Sequence, residues 1–108
     1  MAESGAPKQR RYPRVSPPKT FQVAWQTSAR TGVSRASTFG LGGLFLHEPD
    51  PPPAGALIKL FFEIPGGQVH ARGTVRSVEA GQGMGVEFTQ MGPQERARLA
   101  NMIKGLLS

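Results

Sequence analysis

Two stretches of the chain hold the side chains with the most chemistry to offer. Arg10-Arg11-Tyr12-Pro13-Arg14 gathers three guanidinium groups around one tyrosine. A guanidinium forks onto phosphate oxygens and onto the O6/N7 edge of guanine, and it stacks on flat rings. Arg10 and Arg14 stand four apart. In an extended chain, residues an even number apart point to the same side, so the two can embrace one flat anion, with Tyr12 on that side as a stacking surface. The second stretch is Thr38-Phe39-Gly40-Leu41-Gly42-Gly43-Leu44-Phe45-Leu46, three glycines leading into a run of large apolar side chains. Glycine weakens a strand, so a cluster of it at a strand entry marks a tight bend or a close approach by another group. Taken alone, the stretch reads as a turn between two strands. The arginines upstream add a second reading, one wall of a ligand site.

The charge agrees with an anionic partner. The formal net charge is +6, and Lys8, Arg10, Arg11 and Arg14 against Glu3 leave +3 (4 − 1) within residues 1–14. Such a block attracts phosphates, nucleic acid, an acidic protein or a membrane surface, or it is simply a solvated basic tail.

Enzyme chemistry finds little footing. The only histidines, His47 and His70, fall on different strands and read as surface or hydrogen-bonded side chains. No ligand spacing supports a metal, and there is no cysteine. Gly40-Leu41-Gly42-Gly43 falls short of a dinucleotide fingerprint and leads into a strand rather than a helix. The carboxylates are scattered singly, so no acid/base pair is evident. A non-enzymatic protein without a cofactor is expected. No apolar run approaches the roughly 20 residues of a membrane span, and the N-terminus has no apolar signal core. A soluble protein, in the cytoplasm as the simplest compartment, is therefore expected.

The elements that must position these residues follow from periodicity. Residues 1–9 read as a disordered tail, and 10–18, with Pro13, Pro17 and Pro18, as an extended arm. Residues 19–27 alternate, with Phe21, Val23 and Trp25 on one face. A turn at 28–32 leads to a more polar strand at 33–38, and the glycine cluster leads to another at 44–47. Pro49, Pro51, Pro52 and Pro53 require a loop. Residues 56–64 form the strongest strand, with Ile58, Leu60, Phe62 and Ile64 inward. Pro65-Gly66-Gly67 turns into 68–78, where Val69, Ala71, Gly73 and Val75 point inward and His70, Arg72, Thr74 and Arg76 outward. Met84, Val86 and Phe88 line a last strand. The period then changes: Leu99, Met102, Ile103, Leu106 and Leu107 make a helical stripe over 93–107, with Pro93 at the first helical position and Glu95 in the first turn. Six short antiparallel strands over 19–90 and one terminal helix predict a mainly β protein, a small barrel whose closure removes strand edges.

Three features in order resemble the PilZ domain family: Arg-x-x-x-Arg near the N-terminus, the Gly-Gly-Leu-Phe-Leu strand entry, and Gly83-Met84-Gly85-Val86-Glu87-Phe88 ahead of the helix. The resemblance covers residues 10–108 as one domain and implies a six-stranded antiparallel barrel with a C-terminal helix. It implies a bacterial receptor for cyclic di-GMP, or a relative that has lost this ligand and regulates motility, pili or polarity through a protein partner. Arg10 and Arg14 match the family's arginines, with Arg11 an extra cation. In the second motif, Asp/Asn-x-Ser-x-x-Gly, the glycine falls on Gly43, the acidic or amide position on Thr38, and the serine on Gly40. A hydrogen bond to a charged group contributes about 1.5–3 kcal/mol, so losing the equivalent of one costs roughly tenfold to a hundredfold in affinity. A basic nucleic-acid-binding barrel is a third expectation. Against it stand few aromatic residues, the clearest of them on inward-facing positions, which leaves no stacking platform.

Overall fold

The computed structural model describes residues 21–107. The six segments with period two form strands: β1 (Gln22–Gln26), β2 (Thr31–Phe39), β3 (Gly43–His47), β4 (Leu57–Ile64), β5 (Gly67–Glu79) and β6 (Gly83–Met91). They close, all antiparallel, into a barrel in the order β1-β2-β3-β6-β5-β4. Closure pairs both edges of the sheet, which is why strands of only five residues are stable here.

The inward residues fill the barrel as their alternation predicts. Val23, Trp25, Ile58, Leu60, Phe62, Val69, Val75, Met84 and Val86 are all buried. Phe21 stacks on Phe39 and meets Phe62 edge-on, at centroid distances of 5.2 and 5.6 Å. Thr74 lies in the outward row, opposite the exposed Leu57 and Glu87, and is nevertheless covered there. Phe88, read as inward, is only partly buried and packs against the core from its margin.

The helix, α1 (Pro93–Leu107), runs over the expected span. Leu99 and Ile103 enter the core and Met102 packs against it, whereas Leu106 is exposed, so the buried stripe is narrower than its spacing suggests. The helix start is tied to the barrel by two side chains. Glu95 accepts from the Gly92 N–H (3.2 Å) and from the His70 N–H (2.6 Å). The first contact is the backward half of a capping box. The second satisfies a β5 amide that lies beyond the pairing with β6, which begins at Ala71–Met91. Arg98 donates to the Gln68 C=O (3.0 Å) in the same way. Two helical side chains thus continue the ladder where a strand runs out.

Candidate functional site

The turn between β2 and β3 brings Thr38, Gly40 and Gly43 together. Thr38 pairs with Phe45 and Phe39 with Leu44, and the Gly40 N–H donates to the Gly43 C=O at 2.8 Å to close the loop. A register shift between Ala36 and Thr38 leaves Ser37 as the extra residue and re-aims the end of β2. Leu41, at the tip, packs against the core and so holds the turn down.

Gly43 has its own reason to lack a side chain. A Cβ there would overlap the Val86 carbonyl oxygen and stand 3.1 Å from the Val86 carbonyl carbon. Its pairing with Glu87, and the Phe88 N–H to Gly42 C=O bond (2.9 Å) beside it, need that close approach of β3 to β6. The glycine is therefore required by the barrel itself. Gly40 is buried and Thr38 half-buried, so the hydroxyl of Thr38 is the only side-chain polar group that these three positions bring to the wall.

Arg10, Arg11 and Arg14 lie outside the described residues. What the structure fixes is the point where the chain enters the barrel. The Phe21 C=O accepts from the Ala36 N–H at 3.1 Å, and the Phe21 ring lies on Phe39, so the entry point sits against the end of β2 that carries Thr38. Seven positions separate Arg14 from Phe21, a reach of at most about 25 Å.

His47 departs from expectation: its Nε2 is buried and has no hydrogen-bond partner among the described residues, with the Phe45 ring edge-on at 5.5 Å. His70 is exposed and tilts against Phe61 at 4.6 Å. No group of three or more metal-ligating side chains occurs among the described residues. No described helix is long and apolar enough to cross a membrane.

A polar network at the far end of β2 was not foreseen. Trp25 Nε1 donates to Ser34 Oγ at 2.9 Å, and Ser34 Oγ donates to Glu48 Oε1 at 3.2 Å. Glu48 and Asp50 both pair with Arg30, at 3.3 and 3.5 Å, and the Arg30 guanidinium lies 5.2 Å from the Trp25 ring centre. The two carboxylates that looked scattered in the sequence share one arginine. The available signal was Trp25 itself, since a buried indole N–H needs an acceptor.

The PilZ domain family model matches residues 8–105. Comparison with curated proteins gives no significant match. Among solved structures, the Bacillus subtilis inhibitor of motility MotI/DgrA superposes with a TM-score of 0.76 at 18% identity, over 91% of this chain and 51% of that one. The PilZ domain of Escherichia coli YcgR, solved with c-di-GMP, gives 0.72 at 18% identity, over 92% of each chain. Borreliella burgdorferi PlzA, also in complex with c-di-GMP, gives 0.70 at 11% identity, over 87% of this chain and 40% of that one. The chain thus spans about half the length of the motility inhibitor and less of PlzA. At these identities the likeness is one of fold.

Proposed function

The chain belongs to the PilZ domain family, and from that premise we propose that it is a non-enzymatic regulatory binding module of bacterial second-messenger signalling, with cyclic di-GMP as its candidate ligand and a protein partner as its output. The observation that carries this reading is the entry point of the chain. Phe21 is bonded to Ala36 and stacked on Phe39, so the described part of the chain begins beside the β2–β3 turn, seven positions after Arg14. Arg10, Arg11 and Arg14 supply the cations, and Thr38, Gly40 and Gly43 form the opposing wall. Ordering of the segment over that wall changes the surface offered to a partner. Two relatives of the same fold were solved with c-di-GMP, and another is named an inhibitor of motility.

A second reading is an adaptor that keeps the fold and the partner but not the ligand. The composition of the wall favours it, since Gly40 offers no side chain and Thr38 no charge. Titration calorimetry with cyclic di-GMP decides between the two. The receptor reading expects heat from the wild-type protein, at least tenfold weaker affinity for Arg14→Ala, and at least tenfold tighter affinity for the Thr38→Asp/Gly40→Ser variant. Absence of heat from the wild-type protein and from the double variant leaves the adaptor.

A further inference from the structure

Away from the β2–β3 turn, the outer wall of the barrel carries two parallel rows of side chains. The first runs across five strands in direct register: Thr31, Gln26, Lys59, Arg72 and Gln90. The second runs one repeat along the strands: Val33, Ala24, Phe61 and His70. Both rows line one shallow cavity of about 770 Å³.

Lys59 and Arg72 are cross-strand neighbours of like charge, an arrangement that destabilises a sheet. Both are exposed, and neither makes an ion pair or hydrogen bond among the described residues. The carboxylate lining the cavity, Glu95, is held by the His70 and Gly92 N–H groups and does not relieve them. Beside this unneutralised pair, Val33 is 64% exposed and Phe61 is half-buried. An apolar row next to an uncompensated basic row is a negative image of a segment with apolar side chains along one edge and carboxylates along the other.

We propose that the outer face of β2-β1-β4-β5-β6 docks an acidic, amphipathic segment of a protein partner, with carboxylates on Lys59 and Arg72 and apolar side chains on Val33, Ala24 and Phe61. Charge argues against the other occupants. The chain's own residues 1–14 carry +3, and a second copy carries the same excess of +6. Nucleic acid would satisfy the basic row but has no use for the aliphatic Val33 and Ala24. The inference rests on the partner half of the proposed function and is independent of cyclic di-GMP.

The test uses the full chain, isotope-labelled, with a capped amphipathic peptide of about 12 glutamates and leucines at helical spacing as probe. Amide shifts are expected to cluster on Ala24, Lys59, Phe61, His70 and Arg72. The scrambled peptide is expected to bind at least tenfold more weakly. Lys59→Glu is the decisive variant, because it turns a repulsive cross-strand pair into an attractive one. Its melting temperature should hold or rise while peptide affinity falls at least tenfold, and its response to cyclic di-GMP should match wild type. Equal binding of the scrambled peptide, shifts spread over other basic surfaces, or unchanged affinity in Lys59→Glu would each overturn the proposal. Tighter binding of a short oligothymidylate at the same residues would overturn it in favour of nucleic acid.

Discussion

Replacing Gly43 by alanine asks whether the glycine at the heart of the candidate site serves the fold. The added Cβ overlaps the Val86 carbonyl oxygen and lies 3.1 Å from its carbon and 3.2 Å from Glu87 Cα. All three are backbone atoms, so no side-chain rotation relieves the contact, and β3 must move off β6. That movement strains the Gly43–Glu87 pairing and the Phe88 N–H to Gly42 C=O bond. Overpacking costs about 1–3 kcal/mol and a weakened hydrogen bond about 0.5–1.5 kcal/mol, together about 1.5–4.5 kcal/mol. For a domain of this size each kcal/mol moves the melting temperature by about 4–8 °C, so a fall of at least about 6 °C is expected. Calorimetric or circular-dichroism melting of Gly43→Ala against wild type measures it. A melting temperature within about 2 °C of wild type would refute the packing argument and return Gly43 to a role in ligand binding alone. If the fall is observed, loss of binding in any Gly43 variant is no evidence of a ligand contact.

Other variants probe the supports of the site. Ser34→Ala leaves the buried Trp25 N–H without its acceptor and should cost about 1–3 kcal/mol by urea denaturation, with the cost shrinking in a Trp25→Phe background. Glu95→Ala removes two backbone contacts at the helix start. It should cost about 1–2 kcal/mol and speed amide exchange at His70, a direct readout of the unpaired β5 edge. Gly105→Ala, on the helix with open space around the new methyl, should raise stability by about 0.5–1 kcal/mol in the same unfolding assay.

The strands and the helix were legible where a period of two or of 3.6 runs through enough of each element. Phe21, Val23 and Trp25 alternate, as do Ile58, Leu60, Phe62 and Ile64, and every one of these side chains is inside. The burial of Thr74 escaped because it depends on neighbours across β4 and β6 rather than on the alternation of β5 itself. His47 escaped because the sequence shows a histidine's chemistry but not the ring packed beside it. The Trp25–Ser34–Glu48–Arg30 network and the Lys59–Arg72 pair join residues up to 23 positions apart, and it is the pairing register of the strands that brings them face to face. At the candidate site, the spacing of Thr38, Gly40 and Gly43 could be read from the sequence. The collision that obliges Gly43 to be glycine could not, because it depends on the approach of β6.

The central claim is that the segment entering at Phe21 and the β2–β3 turn are two sides of one ligand site. Amide shift mapping on the full chain during titration with cyclic di-GMP tests it most directly. The account predicts shifts concentrated at Phe21 and from Thr38 to Gly43, lost in Arg14→Ala. No shifts at ligand excess, or shifts centred on Lys59 and Arg72 instead, would contradict it.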